Sequence, residues 1–146
     1  MKLRLFMLLT VLLTGWTNAQ SIINVDTALR MPLQRALLEL KKIGVDYDPM
    51  SEPFILMYGN TRNKAAAVSL GRNKEGVLIF VNESVFNTYD MRSQVWIIIH
   101  EIAHDVFNLG HSHDGVMTAE IPNAITTAMW SKSMNILKQQ INHKHE

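Results

Sequence analysis

Two histidines and a glutamate lie close together in an otherwise apolar stretch of the chain: His100, Glu101 and His104, within residues 95–107. In an α-helix, residues four apart lie on the same face about one turn apart, so both imidazoles reach the same metal ion. Glu101 then flanks the ion, where it takes a proton from a metal-bound water, whose pKa a catalytic zinc lowers to about 7. The pattern predicts a Zn²⁺ site with Glu101 as the general base.

The surroundings of these three residues favour that interpretation. The helix that carries them is apolar on almost every face, so it belongs in a core. A buried polar group without a partner costs about 1–3 kcal/mol there, and a bound metal supplies the missing partner. The alternative is a chance match to the H-E-x-x-H pattern, with both histidines hydrogen-bonded inside the core.

The chain must return a third donor soon after His104, because a catalytic zinc usually has three protein ligands and a water in the fourth place. We expect Asn108 to adopt the left-handed conformation that closes a helix, and Gly110 to give the chain further freedom to turn. His111 is then the expected third ligand. His113 and Asp114 remain alternatives, all of these residues lying within a few positions of one another.

The elements that position these side chains follow from hydrophobic periodicity. Helices are expected over residues 26–43, 90–107 and 124–141, and strands over residues 54–58, 65–70 and 77–81. Asp26 is the expected N-cap of the first helix, with Gly44 just past its end. The all-apolar run 77–81 predicts a buried strand. The last helix is expected to bury Met129, Met134, Ile136 and Leu137.

The first nineteen residues have the features of a signal peptide. Lys2 and Arg4 precede the apolar run Leu5–Leu13, and small or polar residues lead to a cleavage site near Gln20. We therefore divide the chain into a signal peptide, residues 1–19, and a single domain, residues 20–146, that is secreted or periplasmic. The apolar run is shorter than the roughly 20 residues of a spanning helix, so no stable membrane insertion is expected after cleavage, although an N-terminal anchor is the alternative.

Composition limits the partners. The chain has 14 Lys+Arg against 13 Asp+Glu, and without Lys2 and Arg4 the remainder has 12 against 13, a formal charge of −1. A chain of this charge without a basic stripe is not expected to bind nucleic acid. It has no cysteine, so an ordinary core, reinforced by a metal, must stabilise it. No feature of the sequence indicates an oligomeric state.

The stretch Ile97–Met117, IIIHEIAHDVFNLGHSHDGVM, resembles the zinc-binding segment and methionine turn of the metzincin clan of metallopeptidases, which includes matrixin-like enzymes and small exported bacterial relatives. The resemblance implies an α+β fold: a small zincin-like domain with a short twisted sheet, an active-site helix and a C-terminal helix. It also implies that two helix histidines and a third histidine after a turn hold zinc above a methionine. The residues that match these roles are His100, His104, His111, Glu101 and Met117.

The match departs from the clan pattern in three places. His111 follows His104 by seven residues instead of six, and Phe107 stands where the helix-ending glycine is expected. Ala119 occupies the position two residues after the methionine, so the tyrosine that can stabilise an oxyanion is absent. Met117 also has an ordinary interpretation as a flexible core side chain.

The resemblance implies hydrolysis of peptide bonds in a peptide or protein substrate. In the clan, extended substrate pairs with an edge strand upstream of the helix, which we match to residues 65–70, with 77–81 as the inner strand. A second hypothesis is a catalytically inactive zinc-binding or partner-binding protein that retains the site, since the short chain leaves little room to shape a cleft. A third is a purely structural zinc with four protein ligands.

Overall fold

The computed structural model describes residues 23–61, 64–70 and 76–144, and the predicted signal peptide lies outside these residues. The described chain forms four strands and four helices, with a 3-10 turn at Thr27–Leu29 before the first helix. Their bounds are β1 Ile23–Val25, α1 Arg30–Lys42, β2 Phe54–Tyr58, β3 Ala67–Ser69, β4 Val77–Val81, α2 Glu83–Phe86, α3 Met91–Asp105 and α4 Thr127–His143.

The strands form one mixed sheet in the order β1-β2-β4-β3. Strands β1, β2 and β4 run parallel to one another, whereas β3 is antiparallel to its neighbour β4. Ala67 lies opposite Val81, and Ser69 lies opposite Ile79. Among the described strands β3 therefore lies at an edge of the sheet, next to the inner strand β4, as predicted. The α+β class predicted from the sequence is confirmed.

Helix α3 packs against α1 and against strands β3 and β4. Nine of its fifteen residues are buried, so the predicted position of this helix inside the core is confirmed. The buried apolar side chains of the described residues form one cluster around it. In β4 only alternate residues are fully buried, while Leu78 and Phe80 are half-buried. The predicted buried strand is confirmed for Val77, Ile79 and Val81, whereas the other face of β4 is only partly covered.

The start of α1 differs from the prediction, whereas its end agrees with it. Asp26 makes no side-chain cap, because its carboxylate instead accepts the Tyr58 backbone N–H at 2.6 Å. Pro32 lies in the first turn of α1, where its missing N–H removes no helical hydrogen bond. At the other end, Gly44 has φ +85° and the Val45 N–H donates to the Leu40 carbonyl, which closes the helix in a Schellman motif.

The later helices begin and end near their predicted positions. Asp90 caps α3 by accepting the Ser93 N–H at 2.8 Å, but the helix ends at Asp105, two residues earlier than expected. Thr126 caps α4 by accepting the Met129 N–H at 3.2 Å. Burial of Met129 was a wrong prediction: this side chain lies in the first turn and is 37% exposed. Met134 and Leu137 are buried and Ile136 is half-buried. None of the helices in the described ranges is both long enough and apolar enough to cross a membrane.

Candidate metal centre

The three predicted histidines come together at the C-terminal half of α3. His100 and His104 lie one turn apart on this helix, and their ring centroids are 4.5 Å apart. The ring centroid of His111 lies 5.3 Å from that of His100 and 4.8 Å from that of His104. One ligand atom from each of the three residues lies within 4.8 Å of the others. The three side chains are therefore close enough to hold one metal ion.

The return of the chain to His111 depends on the turn that follows α3. Asn108 has φ +48°, the left-handed conformation predicted from the sequence. The next residue, Leu109, donates its N–H to the Ala103 carbonyl at 3.0 Å, which folds the chain back along the helix. Asparagine tolerates this conformation better than most residues with a side chain. The turn leaves His111 exposed and facing the two helix histidines.

Backbone carbonyls fix the tautomers of the two helix histidines. The Nδ1 atom of His100 lies 2.8 Å from the Val116 carbonyl, and that of His104 lies 2.6 Å from the Leu109 carbonyl. A carbonyl only accepts hydrogen bonds, so both Nδ1 atoms carry hydrogen, and the metal-coordinating nitrogen of each ring is then Nε2. These two Nε2 atoms lie 3.0 Å apart. A metal ion held by both rings would be coordinated by these two Nε2 atoms.

The electrostatics of His100 favour the form that binds a metal. Its pKa is lowered from the ordinary 6.5 to about 4, chiefly by burial and to a lesser extent by the neighbouring His104 and His111, against the raising effect of the Val116 carbonyl. The ring is therefore neutral near pH 7, and neutral imidazole is the form that coordinates metals. The donor set of three imidazoles suits Zn²⁺ and other divalent transition ions.

Glu101 lies beside the three histidines and is only 7% exposed. Its pKa is raised to about 7, chiefly by burial and to a lesser extent by the Asp105 carboxylate, while a hydrogen bond from the Ser69 backbone N–H acts in the opposite direction. A carboxyl group of this kind exchanges a proton readily near neutral pH, which is the property of a general acid or base.

Asp105 ends α3 and contacts two strands. One carboxylate oxygen accepts the hydroxyl hydrogen of Ser69 on β3, and the other accepts the Leu78 backbone N–H on β4 at 3.2 Å. These contacts with β3 and β4 connect the end of the helix to the sheet.

The segment after His111 packs against the histidines of the site. The Val116 carbonyl binds His100, and the Met117 carbonyl accepts the Ser112 N–H at 2.9 Å. The Met117 side chain is fully buried, which fits both of its sequence interpretations. Among the described residues, the histidine cluster includes neither His113 nor Asp114, the alternative third ligands, and both of these side chains are exposed.

A cleft of about 840 Å³ lies over the site. The three histidines and Glu101 line it, and the edge strand β3 runs along one side with its flanking residues. The remaining wall is largely apolar. It is formed by Val85, Tyr89, Trp96, Ile97, Thr118, Ala119, Glu120 and Ile121.

The sequence did not identify three contributors to the site: Ser69 and the carbonyls of Leu109 and Val116. Two of these act through backbone carbonyls and Ser69 acts partly through its N–H, and a sequence pattern carries no signal for backbone groups that become neighbours only on folding. In the sequence, Ser69 could be noted only as a polar residue within the expected edge strand. Comparison of the chain with protein-family models, curated proteins and solved structures finds no match in any of the three.

Proposed function

We propose that this chain is an exported zinc-dependent peptidase with a zincin-like fold. The observation that carries the proposal is the closeness of the Nε2 atoms of His100 and His104, 3.0 Å apart, with His111 beside them and Glu101 lining the same cleft. Around a tetrahedral zinc with Zn–N distances of about 2.0–2.1 Å, two ligand nitrogens lie roughly 3.4 Å apart. The observed spacing is close to this value.

The donor set favours a catalytic centre over a structural one. His100, His104 and His111 supply three protein ligands, and catalytic zinc sites have three protein ligands and an open fourth place. When bound, zinc lowers the pKa of a coordinated water to about 7 and polarises a carbonyl group. The cleft leaves the site accessible to a substrate on the side where Glu101 lies.

The protein's own groups then perform the proton transfers. Glu101 takes a proton from the attacking water at one carboxylate oxygen and later gives it to the departing amine. The Ser69 N–H holds this carboxylate, and the hydrogen bonds from Nδ1 keep the Nε2 atoms of His100 and His104 directed at the metal position.

An extended peptide fits the shape and chemistry of the cleft. Strand β3 borders it and is hydrogen-bonded to β4 along only one side among the described strands. Unpaired backbone groups at a sheet edge bind an extended peptide by adding a strand to the sheet. The apolar wall opposite β3 offers a place for an apolar side chain of such a peptide.

Replacement of Glu101 by Gln tests the function. We expect the Glu101→Gln protein to bind close to one zinc per chain, as the wild type does, and to lose at least about 10³-fold in cleavage of a peptide library, because the proton acceptor is gone while the ligands remain. The matched control is Glu83→Gln, the same change at an exposed carboxylate that does not line the cleft.

Two outcomes of this experiment contradict the proposal. Unchanged cleavage by Glu101→Gln rejects Glu101 as the base. A wild-type protein that holds one zinc but cleaves no peptide in the library supports the alternative of an inactive zinc-binding or partner-binding protein.

A further inference from the structure

Ser69 connects the general base of the proposed reaction to the end of the active-site helix. Its backbone N–H donates to the Glu101 carboxylate, and its hydroxyl donates to Asp105. The second carboxylate oxygen of Asp105 accepts the Leu78 N–H at 3.2 Å. One carboxylate at the end of α3 is thus bound to both β3 and β4, and β3 also contacts Glu101.

The register of β3 explains why the Ser69 N–H is available. The Leu70 N–H donates to the Leu78 carbonyl, and the Asn82 N–H donates to the Ala66 carbonyl, both at 2.9 Å. In an antiparallel pair, alternate residues direct their backbone groups toward the partner strand. Residues 66 and 70 face β4, so the backbone groups of Ser69 point away from it, toward the cleft. The Ser69 N–H, which has no partner strand on this side, donates to the Glu101 carboxylate instead.

We propose that Asp105 is a positioning residue for Glu101. By binding the Ser69 hydroxyl and the Leu78 N–H, it fixes β3 against α3, and the Ser69 N–H then holds the Glu101 carboxylate in place. The catalytic part of this inference rests on the proposed peptidase function, whereas the hydrogen-bonded chain from Asp105 to Glu101 does not.

The spacing on α3 supports this role. Glu101 and Asp105 are four residues apart, so they lie on one face of the helix and both meet β3. A Glu side chain has three rotatable bonds, and a single fixed donor restricts the position of its carboxylate. Misplacement of a reacting group by about 1 Å can lower a rate by about 10²-fold. A shift of the three-residue strand β3 would therefore lower the rate by moving the Glu101 carboxylate, while the three histidines, which lie on α3 and the loop after it, would keep their positions.

The test compares Asp105→Ala, Asp105→Asn and Ser69→Ala with wild-type protein. For Asp105→Ala we expect kcat to fall by about 10- to 100-fold with zinc content unchanged, and KM to rise because β3 also borders the substrate. Asp105→Asn is expected to keep kcat within about 3-fold, since the amide oxygen accepts the Leu78 N–H and the amide nitrogen donates to the Ser69 hydroxyl. Ser69→Ala keeps the N–H and loses the hydroxyl, so an intermediate loss is expected.

The matched control is Asp26→Ala. Asp26 also binds a strand, through the Tyr58 N–H at 2.6 Å, but it does not line the cleft. Its replacement is expected to lower stability and to leave kcat per folded molecule unchanged. A purely structural role of Asp105 would give the same result as this control.

Amide hydrogen exchange at residue 69 tests the contacts from Asp105 through Ser69 to Glu101 without an activity assay. We expect exchange at least about 10-fold faster in Asp105→Ala than in the wild type, and no change in Asp26→Ala. Equal exchange at residue 69 in Asp105→Ala and the wild type overturns the inference, as does an unchanged kcat.

The outcomes separate the two proposals. If the wild type cleaves no peptide, the peptidase function fails, and exchange at residue 69 alone decides whether Asp105 fixes this strand. If Asp105→Ala does not fold, Ser69→Ala is decisive: an exchange rate and a kcat both equal to those of the wild type overturn the positioning role.

Discussion

At the scale of single residues, the site contains two neighbouring buried groups, His100 and Glu101, whose pKa values are shifted in opposite directions. His100 is kept neutral and Glu101 is favoured in its protonated form, both chiefly because burial disfavours the charged state. In both groups the energetic cost of burial exceeds the gain from the hydrogen bonds that favour the charged form. This arrangement lowers stability locally, and it is typical of functional sites.

The pH dependence of the metal-free protein follows from these two groups. The stability that neutral His100 contributes is present above its unfolded pKa of 6.5 and is lost as the pH falls toward about 4. For Glu101 the sign is opposite: the contribution is present below pH 4.5 and is lost as the pH rises toward about 7. We expect the free energy of unfolding of Glu101→Gln to rise between pH 4.5 and 6.5, and that of His100→Asn to fall.

Urea unfolding in the presence of a chelator measures these slopes. The free energy of unfolding of the wild type is expected to change less than that of either variant over this pH range, because the contributions of His100 and Glu101 partly cancel. Slopes of the same sign in both variants would show that the pKa values of His100 and Glu101 are not shifted in opposite directions.

The sequence identifies those residues of the site that lie on one regular element. The spacing of His100, Glu101 and His104 within a helix predicts their mutual arrangement, because helical geometry relates positions to faces. Ser69 contacts this helix from a strand more than thirty residues earlier in the chain. No local pattern encodes a contact of that kind, so the role of Ser69 could come only from the structure.

At the scale of elements, the site depends on where α3 ends and how the chain leaves it. Strongly periodic or all-apolar segments such as β2, β4 and α3 were predicted to within two residues of their observed bounds. The three-residue strand β1 and the four-residue helix α2 were not predicted, because segments this short carry too few residues for a period to be recognised. The predicted cap at Asp26 is wrong, since a tertiary contact with Tyr58 competes for its carboxylate.

The left-handed turn after α3 gives a prediction at this scale. We expect Asn108→Gly to retain stability and zinc affinity, whereas Asn108→Val costs about 1–2 kcal/mol in the free energy of unfolding, because a β-branched residue is strained at φ +48°. The same strain displaces His111 and should weaken zinc binding by at least about 10-fold. Urea unfolding and competitive zinc titration measure the two effects.

Gly110→Ala is the control for this turn. Gly110 has no neighbouring atom within 4 Å of the position a Cβ would take, so we expect a change within about 0.5 kcal/mol. If Asn108→Val leaves both stability and zinc affinity at wild-type values, the turn does not determine the position of His111.

At the scale of the whole molecule, one hydrophobic cluster, a four-stranded mixed sheet and the central helix α3 hold the three histidines in place. The chain has no cysteine, so a metal bound between α3 and the loop after it is the cross-link that its chemistry allows. Hydrophobic patterning predicted most of the helices and strands, and the family resemblance implied the α+β class. The order of the strands and the antiparallel direction of β3 depend on long-range pairing, which the pattern does not encode.

The central claim is that one divalent ion is held by His100, His104 and His111 with a fourth place left open. Anomalous diffraction at the zinc absorption edge, from crystals of the purified protein, tests it most directly. We expect a single peak at about 2.0–2.1 Å from the Nε2 atoms of His100 and His104 and from a ring nitrogen of His111. A protein without a peak at this position, or a peak with a fourth protein ligand, would contradict the account.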